Sequence, residues 1–181
     1  TAGGKSVVVI EKGEPKSCNI VTSCEGKGKT FIMFSDDLDK ALATFVLANG
    51  AAATGQKVTI FFTFWGLNVI KKLHKPNVEK DIFGKMFGMM LPSSSRKLKL
   101  SKMSMGGIGG KMMRYIMNRK GIDSLESLRQ QALENGVEFI ACQMSMDVMG
   151  VKQEELLDEV TIGGVATYME RADNANINLF I

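Results

Sequence analysis

The most informative segment of the sequence is residues 136–150, which read Gly136-Val137-Glu138-Phe139-Ile140-Ala141-Cys142-Gln143-Met144-Ser145-Met146-Asp147-Val148-Met149-Gly150. Its first half follows a glycine and is rich in apolar residues, which predicts a short buried strand. Its second half predicts a turn that opens a short helix, with Cys142 at the junction. Ligands and chemistry collect outside the carboxyl ends of the strands in open α/β sheets. Cys142 is therefore the first candidate functional residue.

Two interpretations of Cys142 are open from its position alone. The start of a helix supplies free backbone N–H groups and the positive end of a dipole, which can stabilise a thiolate, the nucleophilic form of cysteine. Alternatively, Cys142 is a small buried hydrophobe, as free cysteines often are. The segment therefore predicts either a nucleophile or a core residue.

The first half of the chain contains a strand–helix–strand unit. Residues 30–35 and 57–62 predict buried strands, and the helix between them starts at Asp36 or Asp37. Aspartate favours this position because it accepts hydrogen bonds from the free N–H groups of a first helical turn. Such a unit is the right-handed crossover of a parallel sheet. A further helix is predicted over residues 67–74.

The second half repeats this alternation. A helix that begins at Asp123 or Ser124 leads into the strand that ends at Cys142. The remaining predicted elements are a brief helix over residues 152–157, a stub of strand at 160–161, a helix over 165–172 and a final strand over 176–181. The sequence therefore predicts an α/β three-layer sandwich with about five mostly parallel strands, and the flavodoxin-like arrangement is one such fold.

Composition narrows the class of protein. The chain has 181 residues, of which 45% are hydrophobic, and no apolar run approaches the ~20 residues of a membrane span. The three cysteines (Cys18, Cys24 and Cys142) are an odd number, which argues against a disulfide framework and suits a reducing cytoplasm. With His74 the single histidine and no pair of cysteines at metal-binding spacing, we expect no zinc site. No flavin or nucleotide cofactor is predicted.

The chain divides into a short amino-terminal part and one larger domain. Residues 1–28 comprise a strand over 5–11 and a polar linker, and residues 29–181 form the domain. The domain carries an insertion over residues 82–122, which contains nine of the 23 basic residues, eight of the 13 methionines and no acidic residue. Methionine repacks easily and cations attract acidic partners, so we expect a contact surface there, with a covering role as the alternative.

Residues 29–181 resemble the DsrE/DsrF-like sulfur-relay proteins, in the DsrE-like branch that is often labelled a peroxiredoxin family. The resemblance depends on three motifs: Phe34-Ser35-Asp36-Asp37-Leu38-Asp39-Lys40-Ala41, Phe61-Phe62-Thr63-Phe64-Trp65-Gly66 and Ala141-Cys142-Gln143-Met144-Ser145-Met146-Asp147-Val148-Met149-Gly150. It implies a DsrE-like fold, homo-oligomerisation and a persulfide on Cys142. The strand over residues 5–11 looks like the closing strand of a TusA-like domain, which implies a longer parent polypeptide.

The expected function is that of a sulfur carrier or sulfurtransferase, in which Cys142 relays sulfane sulfur between partner proteins such as a rhodanese or a TusA-like protein. One alternative is a binding or assembly module with an idle cysteine, and another is a thiol peroxidase. The residues before Cys142 are predicted to form a strand and lack the proline and threonine of the active-site loop of thioredoxin-fold peroxiredoxins. Membrane contact through residues 89–91 and the nearby lysines is a further alternative. Nucleic-acid binding is not expected, since few aromatic residues accompany the cations.

Overall fold

The computed structural model describes residues 28–73, 91–102 and 108–181. The predicted strand over residues 5–11 lies outside the described residues, as do Cys18, Cys24 and His74. The described residues form five strands: β1 (Gly28–Met33), β2 (Val58–Phe62), β3 (Glu138–Cys142), β4 (Thr161–Gly163) and β5 (Ala175–Phe180). The α-helices among them are α1 (Leu38–Ala53), α2 (Ile108–Arg119), α3 (Leu125–Glu134), α4 (Gln143–Met149) and α5 (Val165–Asp173).

The five strands form a single parallel sheet in the order β4-β3-β2-β1-β5. Each strand from β1 to β4 is added on the same side of its predecessor, and the chain then crosses back to add β5 beside β1. Because such crossovers are right-handed, the connections on the outward path cover one face of the sheet and the return connection through α5 covers the other. The predicted α/β sandwich with about five parallel strands is confirmed.

The face covered by α1 and α3 holds the larger core. Side chains alternate along a strand, so Phe62 of β2 and Phe139 of β3 point to this face, where both contact Phe45 of α1. The three rings are completely or almost completely buried, with centroids 5.4 to 6.4 Å apart. All five residues of β2 are buried, which is expected for a central strand covered on both faces.

The face covered by α5 holds a smaller apolar cluster. Phe61 of β2 and Ile140 and Cys142 of β3 belong to it together with Tyr168 of α5. The Tyr168 ring lies 5.2 Å from the Phe61 ring, and its hydroxyl is 3.3 Å from Thr30 Oγ1. The hydroxyl of Tyr168 thus has a hydrogen-bond partner, while the apolar part of the ring covers the sheet.

Two predicted helices differ from the structure. The helix expected over residues 67–74 is a 3₁₀ helix that runs from Phe64 to Ile70, and the one expected over residues 152–157 is a 3₁₀ turn, Gln153–Glu155. The two segments pair with each other, since the Lys72 N–H donates to the Glu155 carbonyl (2.9 Å) and the Leu157 N–H donates to the Ile70 carbonyl (3.1 Å). This long-range pairing occupies backbone N–H and carbonyl groups that would otherwise form the hydrogen bonds of a longer helix in each segment.

An ion pair holds α5 on the sheet. Arg171 of α5 donates two hydrogen bonds to the carboxylate of Glu138, through Nε (2.9 Å) and Nη2 (3.2 Å). Thr59 Oγ1 donates a third hydrogen bond to the same carboxylate at 2.9 Å. The hydrogen bond from Arg171 is the main reason why the pKa of Glu138 lies below its usual value, and the Thr59 bond lowers the pKa further.

We expect Glu138→Gln to lower the free energy of unfolding near pH 7 by about 1 kcal/mol, since the pair is partly exposed to solvent. The pKa of Glu138 is lowered by folding, so its stabilisation is complete above the unfolded-state pKa of about 4.3 and is lost as the pH falls through the folded-state pKa. Urea unfolding between acidic and neutral pH measures this dependence. A constant difference between the two proteins at all pH values would contradict the assignment, and Glu154→Gln, at an exposed site, is the control.

Candidate functional site

Cys142 is the last residue of β3 and the N-cap of α4. Its side chain is only 1% exposed. It lies two residues after Ile140, so both point to the face covered by α5. The predicted position of Cys142 at a strand–helix junction is confirmed, and the structure adds that the thiol lies within an apolar cluster.

The strands on either side of β3 bring different residues next to Cys142. On one side, Cys142 pairs with Gly163 of β4. A side chain at Gly163 would not fit, because its Cβ would lie 2.8 Å from Cγ2 of Ile140. On the other side, Phe62 of β2 pairs with Ala141, so the next position along the register places Thr63 beside Cys142. The thiol therefore has a glycine backbone on one flank and a hydroxyl residue on the other.

A buried pair of hydroxyl groups fixes the start of α4. Thr63 Oγ1 and Ser145 Oγ lie 2.8 Å apart, and both residues are buried. This hydrogen bond joins the end of β2 to the first turn of α4, immediately after Cys142. The other end of α4 stops at Gly150, which adopts the left-handed conformation (φ 61°) that glycine adopts most easily. The backbone around the thiol is thus held at both ends of a short helix.

The loop after β2 lies at the same edge of the sheet and is tightly constrained. Phe64 has a positive φ of 46°, which is unusual and strained for a bulky residue. The Gly66 N–H donates to the Phe34 carbonyl at 2.8 Å. A Cβ on Gly66 would lie 2.0 Å from the Met33 carbonyl oxygen, so only glycine allows this approach. The loop presents Trp65 with 41% of its surface exposed.

The aspartates of the first motif organise the start of α1. Asp37 is the N-cap residue, as predicted, but its side chain makes no capping hydrogen bond to a first-turn N–H. Its carboxylate instead accepts a hydrogen bond from Ser35 Oγ at 2.8 Å and forms an ion pair with Lys40 at 2.9 Å. Asp36 accepts a hydrogen bond from Asn68 Nδ2 at 2.9 Å, and its burial raises the pKa of its carboxyl group. The Asp37 contacts are local to the start of α1, and the Asp36–Asn68 hydrogen bond joins the end of β1 to the 3₁₀ helix.

Sequence reasoning identified Cys142 but not the residues that surround it. Phe61, Thr63 and Gly163 could have been aligned with Cys142 only if the strand register had been known, and Tyr168 only if the crossover of α5 had been known. Among the described residues, no group of three His, Cys, Asp or Glu side chains is placed to hold a metal ion. No described helix combines the length and the apolar content needed to pass through a bilayer.

Three comparisons relate the chain to known proteins. The sequence pattern of the DsrE/DsrF/DrsH-like family matches residues 26–180. The chain is 44% identical over 155 residues to an uncharacterised protein, YrkE, of Bacillus subtilis, with 86% of this chain and 97% of that protein covered. It is 38% identical over 161 residues to the sulfur carrier protein DsrE2 of Allochromatium vinosum, with 87% and 99% covered.

A solved structure with a similar fold is that of the ychN protein from E. coli. The match has a TM-score of 0.51 at 11% sequence identity and covers 85% of this chain and 99% of the other. At this identity the likeness concerns the fold alone. It supports the same arrangement of parallel strands and covering helices that the described residues show.

We expect Gly66→Ala to lower the free energy of unfolding by about 3 kcal/mol or more, because the added Cβ would overlap the Met33 carbonyl and the backbone would have to move. The matched control is Gly50→Ala, at an exposed position inside α1 where a Cβ would meet nothing within 4 Å. We expect this variant to gain about 0.5–1 kcal/mol from the better helix propensity of alanine. Urea unfolding curves measure both changes, and equal effects at the two glycines would contradict the steric argument.

Proposed function

The chain belongs to the DsrE/DsrF/DrsH-like family, and we propose that it acts in sulfur relay by carrying sulfane sulfur as a persulfide on Cys142. The observation that carries the proposal is the position of Cys142 at the carboxyl end of β3, an interior strand of the sheet, where parallel α/β sheets place their chemistry. The sulfur carrier relative from Allochromatium vinosum supports the same role.

The transfer requires thiol–persulfide exchange and no net oxidation. The Cys142 thiolate attacks the outer sulfur of a donor persulfide, a new Sγ–S bond forms, and the S–S bond of the donor breaks. The donor leaves as a thiolate, and Cys142 becomes the persulfide. An acceptor thiolate then attacks the outer sulfur and releases the Cys142 thiolate. We infer that the donor and acceptor are sulfur-carrying proteins such as a rhodanese or a TusA-like protein.

The surroundings of Cys142 suit such a carrier in two ways. The apolar cluster with Phe61, Ile140 and Tyr168 shields a bound persulfide from water and oxidants, and the Thr63–Ser145 hydrogen bond fixes the backbone directly after Cys142. The cluster also requires that a partner's sulfur enter through a local movement. The flank at Gly163-Gly164 is the place for it, because these residues carry no side chains and lead into α5.

The burial of Cys142 favours a second candidate function. A thiol that is 1% exposed also fits a binding or assembly module in which the cysteine is chemically idle. The two candidate functions differ in whether a sulfur donor can reach the Cys142 thiol and transfer a sulfur atom to it.

We expect a gain of about 32 Da per sulfur atom on Cys142 after incubation with polysulfide, removed again by dithiothreitol and absent from Cys142→Ser. Intact mass spectrometry with peptide mapping measures the gain. If Cys142 never gains sulfur while the folded protein is exposed to polysulfide, the carrier function is wrong and the assembly function is favoured.

Homo-oligomerisation is the second part of the proposal, and strand β5 supports it. Its sequence, Ala175-Asn176-Ile177-Asn178-Leu179-Phe180, contains no charge, and all residues from Asn176 to Phe180 are exposed. Edge strands are usually protected by charged residues, proline or bulges. Strand β5 itself carries none of these protections, so its edge is a surface for strand pairing between copies of the chain.

Symmetry limits how two β5 strands can pair. In an antiparallel pair about a two-fold axis perpendicular to the sheet, directly opposed side chains must lie on the same face. The axis must therefore pass through a residue rather than between two residues. An axis at Asn178 places Ile177 opposite Leu179 of the other copy, so the exposed apolar side chains cover each other.

We expect Leu179→Lys to lower the molar mass of the protein in solution towards that of a monomer, because a lysine would replace the apolar side chain that faces Ile177 of the other copy. Size-exclusion chromatography with light scattering measures the molar mass. Met169→Lys, at a half-exposed position on α5, is the matched control and should leave the mass unchanged. A monomeric wild-type protein, or an unchanged mass for Leu179→Lys, would contradict pairing through β5.

A further inference from the structure

Helix α2 turns its apolar side to solvent. Ile108, Met112, Tyr115 and Ile116 are between 40% and 65% exposed. Their spacing of four, three and one residues places them on one face of the helix. An apolar stripe of this kind normally faces the core of a protein, so its exposure marks a contact surface.

The opposite side of α2 is fixed to the protein. Gly110 is buried, and a Cβ there would lie 3.2 Å from the Leu98 carbonyl oxygen. Arg114 donates to the Ser95 carbonyl at 2.9 Å and forms an ion pair with Glu126 of α3 at 3.2 Å. The outward direction of the apolar stripe therefore follows from how the other side of the helix packs.

Positive charge accompanies the stripe. Residues 91–102 and 108–122 contain no aspartate or glutamate. Besides the paired Arg114, they carry seven exposed cations: Arg96, Lys97, Lys99, Lys102, Lys111, Arg119 and Lys120. The packing of Gly110 on Leu98 brings these two segments side by side. We call the apolar stripe and these seven cations the α2 surface.

We propose that the α2 surface docks on a membrane rich in anionic lipids. A helix with apolar residues on its outer side and lysine and arginine around them lies in the plane of a bilayer interface, where the apolar side chains enter the acyl boundary and the cations meet the headgroups. The 12 residues of α2 correspond to a length of about 18 Å.

The uniform charge favours a lipid surface over a protein partner. A protein would need a groove shaped to the stripe together with acidic groups placed on several sides of it. A bilayer supplies apolar volume and uniform negative potential without a matched shape.

Docking through the α2 surface would also orient the sheet. The Lys99 carbonyl accepts a hydrogen bond from the Leu38 N–H at 2.7 Å, and Leu38 begins α1 directly after the carboxyl end of β1. The α2 surface therefore lies towards the sheet edge that also carries Cys142. Membrane docking is independent of cysteine chemistry, because the apolar cluster of Cys142 includes no residue of the α2 surface.

Sedimentation of the full chain with lipid vesicles tests the proposal. We expect binding to vesicles of phosphatidylcholine mixed with phosphatidylglycerol, much weaker binding to phosphatidylcholine alone, and weakening with added salt. Met112→Asp removes an inserted side chain, and Arg119→Glu reverses a charge. Each should lower the partition coefficient by about tenfold.

Matched controls lie on other surfaces. Val46→Asp changes a similarly exposed residue on α1, and Lys57→Glu reverses an exposed charge before β2. Both should bind like the wild type, and circular dichroism checks that every variant is folded. Absence of binding by the wild type, equal binding to both kinds of vesicle, or equal losses in the controls would overturn the proposal. RNA or an acidic protein bound in place of vesicles, and lost in the same two variants, would also overturn it.

Discussion

The parallel pairing of β1, β2 and β3 is the constraint on which the rest of the structure depends. Because β2 is central and buried at every position, both faces of the sheet must be covered, and the alternation of side chains assigns each residue to a face. Phe62 and Phe139 therefore enter the core under α1 and α3, while Phe61, Ile140 and Cys142 enter the cluster under α5. A shift of β3 by one residue would move the thiol to the other face.

The same register separates polar from apolar residues along the α5 face. Glu138 of β3 pairs with Thr59 of β2, and both lie near the amino edge, where Arg171 and a hydrogen bond from Thr59 satisfy the carboxylate. Two residues after this pair, the same face carries the apolar side chains of Phe61 and Ile140. Four residues after Glu138, β3 ends at Cys142. Helix α5 spans both zones, with Arg171 over the polar one and Tyr168 over the apolar one.

The loops at the carboxyl edge of the sheet are tightly held around Cys142. The Thr63–Ser145 hydrogen bond and the close approach of Gly66 to Met33 hold the loops around Cys142. Gly163, which pairs with Cys142, has no side chain of its own, and the side chains of Ile140 and Thr167 pack against it. For the sulfur relay that we propose, the persulfide must be protected between transfers and reached during them.

The local pattern of the chain was enough to predict most of the elements and the junction at Cys142. Periodicities of two and 3.6 residues, helix-start residues such as Ser124 and turn glycines act over a few neighbours, so they can be read without knowledge of the fold. The helix predicted over residues 67–74 was wrong because a long-range contact overrides the local pattern there. The backbone after Ile70 pairs with residues near Leu156, which are distant in the sequence.

The tertiary structure was needed for everything that depends on strand order and register. The face that Cys142 occupies, its burial, the Thr63–Ser145 bond and the cover by Tyr168 each join residues that are far apart in the chain. The outward direction of the α2 stripe likewise depends on the packing of Gly110 against Leu98. A single sequence specifies which residues are apolar, but their exposure is decided by which surfaces the folded chain brings together.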